Sequence, residues 1–239
     1  MLRPTHTYTD NHGQTIEFVI PEPHNKICIN VSGGADSAIL LLMLIDYCHN
    51  HIPNAEIHVI TCANEVKGWY NAKWSATVLD RILQITGTEM IKSHYTYYAD
   101  NQRRTDLDKT EKMLRDLHGI TLTVHGTTQN PPSSETHLLE GRHEPRDEGH
   151  GRPAFTKLTE EITRWMPVMG VDKRMIAYLY THFNMLDDLL PFTRSCEQHR
   201  KDNTDTPNWM VSHCGKCWWC KEREWAFENV YNLRDTTPE

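Results

Sequence analysis

The chain has 239 residues, a net charge of −7, 38% hydrophobic and 24% charged residues. That is enough chain for a buried core without disulfide staples, and the acidic balance argues against nucleic acid as a partner. The longest apolar run, Ala38–Ile45, is far short of the roughly 20 residues of a membrane span, and the polar start, MLRPTHTYTDNHG, holds no apolar signal core, so a cytoplasmic location is expected.

Residues 1–24 read as a polar arm with a short strand at Thr15–Ile20. The first core element is Lys26–Ser32, a β-branched run suited to a buried parallel strand. A glycine loop and a helix follow, with Leu40, Met43, Leu44 and Tyr47 at helical spacing. Strands are then expected at Glu56–Cys62, Glu89–Tyr98 and Thr121–Thr127. They alternate with helices at Trp69–Ile85, with Ala72, Ala76, Leu79 and Leu83 on one side, and at Arg103–Leu117. Such alternation implies an α/β fold with a parallel sheet flanked by helices. Residues 130–153 break the rhythm with four prolines, three glycines and three histidines, which reads as a long surface loop or lid. Order returns over Lys157–Trp165. A helix is expected from Asp172 to Asn184, with Met175, Ile176, Leu179 and Phe183 inward, and a last one from Trp218 to Tyr231.

The loop Ser32-Gly33-Gly34-Ala35-Asp36-Ser37 sits between a buried strand and a helix start. Free N–H groups and the helix dipole make that junction an anion site. Glycines allow close backbone approach, and the hydroxyls of Ser32 and Ser37 can add hydrogen bonds. Asp36 would repel phosphate, but it suits the magnesium that accompanies a polyphosphate. The GxxxxGK[ST] pattern is absent.

Seven cysteines, an odd number, argue against a disulfide framework. Cys28, Cys48 and Cys62 lie in apolar elements and read as core. Cys196, Cys214, Cys217 and Cys220 have the spacing of a tetrahedral structural zinc site, and an iron–sulfur cluster is compatible with it as well. His213 reads as a surface histidine. Trp218, Trp219, Trp225 and Phe227 could form an interface or pack on the metal site.

The SGGxDS loop resembles the pyrophosphate loop of the N-type ATP pyrophosphatases, a superfamily with an adenine nucleotide alpha hydrolase-like, Rossmann-like fold. Within it the chain is most similar to the 7-cyano-7-deazaguanine synthases. Pro167-Val-Met-Gly-Val-Asp172-Lys173, Thr193-Arg-Ser195-Cys196 and Cys214-Gly-x-Cys217-x-x-Cys220 with the following helix carry that likeness. The resemblance implies that Lys173 is a cation at the phosphates and that Gly126 lets the nucleotide approach. It departs from the family in lacking its Phe-Val-Pro-x-Arg-Asn and Ser-Gly-Tyr-Pro-Asp-Cys-Arg stretches, and in having Glu197 after the first metal cysteine.

Together these imply an ATP-binding α/β domain over 1–165 and a small helical, zinc-binding segment over 166–239. The expected cofactors are ATP, magnesium and zinc, and Asp36 and Lys173 are the expected catalytic residues. The resemblance implies adenylation of a 7-deazaguanine-type carboxylate with release of pyrophosphate, amidation by ammonia and dehydration to a nitrile. Ammonia would come free, since no glutaminase segment is included, and a homodimer is expected. The alternatives are a sulfur-transferring, tRNA-modifying enzyme of the same superfamily and an ATP-binding protein without catalysis.

Overall fold

The structure, a computed structural model, describes residues 3–64, 70–99, 103–140, 154–157, 162–196, 213 and 215–234. It begins with a hairpin, β1 (His6–Thr9) and β2 (Thr15–Phe18), paired antiparallel. The expected polar arm is therefore a folded element. Alternation along its strands sends Tyr8, Ile16 and Phe18 into the main core, together with Ile20 beyond it.

The central sheet has six strands in the order β5-β4-β3-β6-β8-β7. These are β3 (Lys26–Asn30), β4 (Glu56–Asn64), β5 (Ile91–Ala99), β6 (Leu122–Val124), β7 (Phe155–Lys157) and β8 (Thr163–Trp165). All pairings are parallel except β7 with β8, at the edge. The helices are α1 (Ala35–His51), α2 (Tyr70–Thr86), α3 (Arg103–His118), α4 (Lys173–His182) and α5 (Trp218–Arg234).

The two sheet faces are read from residue alternation. Ile27, Ile29, Ile57, Val59, Leu122 and Val124 join the large core with α1, α2, α4 and α5. Cys28 and Ile60 face the other way, against Leu114 of α3 and Ile120. Helix α1 is buried on nearly every side, consistent with its apolar sequence. The large core crosses the 165/166 boundary, since Met175, Leu179, Ala226 and Phe227 belong to it. Phe227 is thus core and not an interface residue; the ring of Trp225 lies under the Arg174 guanidinium, 4.9 Å away.

Several expected details shift. Ala76 is exposed, and the buried side of α2 is Trp74, Ser75, Val78, Leu79 and Ile82. Trp74 is buried against Gly33 with Arg194 over its ring, so the inward stripe is rotated from the one the alanines suggested. The strand expected at Thr121–Thr127 shortens to β6, because the backbone turns toward the loop at Gly126. The segment 130–153 holds a short 3₁₀ stretch at Ser133–Leu139, and its residues 141–153 lie outside the described residues.

Strand order decides where a ligand can sit. From β3 the chain builds outward through β4 and β5, then returns to the other side of β3 with β6. The β3/β6 boundary is a topological switch point, and in open α/β sheets the crevice beyond the carboxyl ends of such strands is the binding position.

Candidate active site

At that switch point lies a cavity of about 300 Å³, within the size range of small-ligand pockets. Its wall includes Ser32, Gly34, Ala35, Asp36, Ser37, Gly126, Lys173 and Cys196. One cavity therefore gathers most of the site residues expected from the sequence.

The glycine loop is fixed by contact with its surroundings. Gly33 has φ +83, and a Cβ there would fall 2.4 Å from Trp74 Cβ. Only glycine fits, on both counts. Its carbonyl accepts the Arg194 N–H at 2.8 Å. Gly34 caps α1, and the N–H groups of Ala35, Asp36 and Ser37 then open the helix without intrahelical acceptors. The Ser37 hydroxyl donates to the Gly34 carbonyl at 3.2 Å and accepts from the Ser32 N–H at 3.2 Å. It braces the loop, where the sequence had suggested a free phosphate donor.

Gly126 follows β6. A Cβ on it would lie 3.3 Å from Ser37 N and 3.4 Å from the Asp36 carbonyl carbon. The close approach seen is that of the loop's own backbone, and Gly126 also lines the cavity, where the resemblance implies a nucleotide.

Lys173 is the first residue of α4, and Asp172 caps that helix by accepting the Arg174 N–H at 2.9 Å. Lys173 is 3% exposed, so it is not a solvated helix-start lysine. Its Nζ lies 3.3 Å from Asp36 Oδ2 and 3.3 Å from Glu222 Oε2. The start of α4 is anchored to the hairpin: the Asp172 N–H donates to Gln14 Oε1 at 2.8 Å, and Gln14 Nε2 donates to Asp172 Oδ1 at 3.1 Å. One ammonium facing two carboxylates leaves an excess negative charge. Asp36 Oδ1 is buried with no hydrogen-bond partner among the described residues. An orphaned carboxylate oxygen in a cavity fits a hard divalent cation such as magnesium.

A second polar chain, missed in the sequence, reaches the cavity wall. His125, which lines the cavity, pairs through Nε2 with Glu111 Oε1 at 2.7 Å. Glu111 is 1% exposed, and its other oxygen accepts from Arg164 Nη2 at 2.7 Å; the same nitrogen reaches Asp108 at 2.8 Å. Burial opposes the Arg164 charge, but Glu111 and Asp108 outweigh it and raise its pKa. These groups come from α3, β6 and β8, and no sequence spacing links them.

On the C-terminal side, Cys196, Cys217 and Cys220 are buried with their sulfurs within 4.8 Å of one another. Cys217 Sγ lies 3.4 Å from Cys220 Sγ and 3.9 Å from Cys196 Sγ. A single tetrahedral ion with Zn–S of about 2.3 Å requires edges of about 3.8 Å, so the three thiols fit one ion. The adjoining Cys196 thiol, then burial, push the Cys220 thiol upward, which a cation would reverse. Cys214, the expected fourth ligand, lies outside the described residues, as does Glu197. His213 is half-buried and accepts the Ser195 N–H at 3.3 Å, so it is tied to the segment before Cys196. Cys28, Cys48 and Cys62 are buried as expected.

Arg194, Trp74, Trp218 and Trp219 complete the wall. The Arg194 guanidinium lies 5.2 Å over the Trp74 ring, and the Trp218 and Trp219 rings stack at 4.2 Å. Arg194 was legible inside the Thr193–Cys196 motif, but it carried no signal that it would reach the loop.

No family model matches the chain, and no curated protein matches it. Among solved structures, the chain is similar to a U34-tRNA thiolase from Methanococcus maripaludis with its 4Fe-4S cluster, at 13% identity and TM-score 0.47, covering 90% of this chain and 68% of that one. It is also similar to an NMN synthetase from Francisella tularensis, at 11% identity and TM-score 0.42, over 91% and 90% of the two chains. An NAD+ synthetase from Burkholderia pseudomallei aligns at 11% identity and TM-score 0.38, over 89% and 80%. These likenesses are distant, and no residue's role is carried across from them. Among the described residues no helix is long and apolar enough to cross a membrane.

Proposed function

We propose that the cavity binds ATP with magnesium and that the chain is an ATP-dependent ligase cleaving between the α and β phosphates. The observation that carries this reading is the meeting of Lys173 with Asp36 of the Ser32–Ser37 loop in one cavity. The N–H groups opening α1 would hold the pyrophosphate group. Lys173 would neutralise charge developing on the leaving group. Asp36 would hold magnesium, which would supply Lewis-acid stabilisation of the same charge. A substrate carboxylate oxygen attacks the α-phosphorus, the bond to the bridging oxygen breaks, and pyrophosphate leaves with the electron pair. A nitrogen nucleophile then forms the C–N bond, loses a proton, and AMP departs. His125, oriented by Glu111, stands on the same wall as a proton acceptor.

The substrate class rests on the motif resemblance to 7-cyano-7-deazaguanine synthases, which favours a 7-deazaguanine-type carboxylate, ammonia and a nitrile product, a second ATP adenylating the amide oxygen so that it leaves with AMP as the amide nitrogen loses its two protons. The three thiols, spaced for one ion, favour zinc. Pyrophosphate and AMP release from ATP and magnesium, with 7-carboxy-7-deazaguanine and ammonium present or omitted, tests the reading. Substrate-dependent release with an amide or nitrile product supports it. Asp36→Ala is expected to abolish that release with the fold intact; activity surviving the substitution would sink the assigned role of Asp36.

One observation favours sulfur transfer as a second reading: Cys196 lines the same cavity. An iron–sulfur absorbance in the purified protein, with no release on the carboxylate, would move the assignment there.

A further inference from the structure

Two metal-site thiols lie at the start of helix α5, Cys217 just before it and Cys220 in its first turn, and Glu222 and Arg223, two and three positions further on, are polar clamps. Glu222 is 0% exposed and holds Lys173 at 3.3 Å. Arg223 donates to Thr193 Oγ1 at 2.8 Å and to the Leu190 carbonyl at 3.1 Å, gripping the irregular segment that leads to Cys196. That segment in turn donates from Arg194 N–H to the Gly33 carbonyl at 2.8 Å. A single helical turn beyond the thiols therefore touches the glycine loop from both sides, through Lys173 and Asp36 on one and through residues 193–194 on the other.

A fully buried carboxylate is costly unless it is paired, and pairing to Lys173 fixes where the ammonium sits. An ammonium has three donors. With Asp36 given over to a divalent cation, Glu222 would still hold Lys173 in place, with donors left for phosphate oxygens. Glu222 has no reach into the chemistry itself; it acts through Lys173. Its own position is set by the first turn of α5, which the cysteine site anchors to Cys196.

We infer that Glu222 is a positioning residue for Lys173, through which occupancy of the cysteine site sets the affinity of the glycine loop for the pyrophosphate group. The inference rests on the ATP reading above. The coupling is reciprocal, so nucleotide also tightens metal binding.

Calorimetric titration of the full chain with magnesium pyrophosphate and magnesium ATP, zinc-loaded and after chelation, tests it without a substrate. Circular dichroism confirms that the chelated chain is folded. In the wild type, chelation is expected to weaken binding at least about tenfold. Glu222→Gln is expected to keep its zinc by elemental analysis, to bind pyrophosphate about tenfold more weakly, and to lose most of the zinc dependence. In a Lys173→Met background, Glu222→Gln is expected to add nothing, whereas a merely structural role would add its full effect. Glu224→Gln, at an exposed position of the same helix, is expected to change neither quantity. Equal binding by zinc-loaded and chelated wild type, or full additivity with Lys173→Met, overturns the inference and leaves the ATP reading standing. Failure of zinc-loaded wild type to bind either ligand overturns both.

Discussion

The glycine loop and the cysteine site face the same cavity but are held by different physics. The loop is contiguous, six residues from Ser32 to Ser37, and it is shaped by steric exclusion: Trp74 leaves no room for a side chain at Gly33, and Gly126 lets the β6 backbone close onto Ser37. The cysteine site draws Cys196 and the Cys217/Cys220 pair from segments 21 residues apart, joined by the hydrogen bonds of Arg223 to Thr193 and the Leu190 carbonyl, and its chemistry calls for a shared cation. A site shaped by packing persists without its ligand. One shaped by coordination does not, because close thiols that ionise repel.

The largest effect that would sharpen this contrast is metal removal. A structural ion present at about a thousandfold its Kd contributes roughly 4 kcal/mol, which for a chain of this size is a fall in Tm of roughly 10 °C. Thermal melts with and without chelator read this directly, whereas omitting ATP and magnesium is expected to lower Tm by a smaller amount, set by their concentration relative to Kd. A chelator-insensitive melt would mean that packing, not metal, holds α5.

Next is Gly33→Ala, which combines a positive φ with a backbone clash and is expected to cost about 3 kcal/mol or more and to abolish pyrophosphate binding. Urea unfolding and calorimetry measure the two. Gly126→Ala has milder contacts, so a loss of about 1 kcal/mol is expected, with binding weakened and not lost. If the two glycines prove equivalent, the loop is less tightly templated by Trp74 than its geometry requires.

The smallest effect is acid sensitivity at two sheet histidines, His58 on the face covered by α3 and His94 on the face covered by α2. Burial, with His118 beside it, lowers the pKa of His58 below its ordinary 6.5. Burial likewise lowers that of His94, against a smaller opposing pull from Asp80. Each favours the neutral form in the folded state, so the unfolded chain binds more protons as the pH drops. The resulting stability is fully present above about 6.5 and is lost as the pH falls through the lowered folded-state values. Melts from pH 7.5 to 5 should show Tm falling, less steeply in His58→Gln. The glycine loop, which holds no histidine, should not contribute.

Reading the sequence located the strands and helices of the α/β layer because their apolar periods are local, and it found both motifs because glycine and cysteine spacing is chemistry written in consecutive residues. It placed Lys173 correctly at a helix start but could not show that the lysine is buried between Asp36 and Glu222. It gave the second strand of the first hairpin but missed its partner at His6–Thr9, because alternation over four residues is short and its polar members dominate the composition. It misplaced the inward side of α2 by weighing alanines above Trp74.

The sequence by itself determined that this is an α/β chain with an anion-binding loop after its first sheet strand and a thiol cluster near its end. Only the tertiary structure decided that the two share one cavity, that Gly126 serves the loop's own backbone, and that His125, Glu111 and Arg164 form a chain from three elements. The physical reason is that strand order is set by which faces bury each other across the sheet. The switch point between β3 and β6 brings residues some ninety positions apart to one crevice, and a buried ion pair such as Lys173 with Glu222 leaves no periodicity in the chain that makes it.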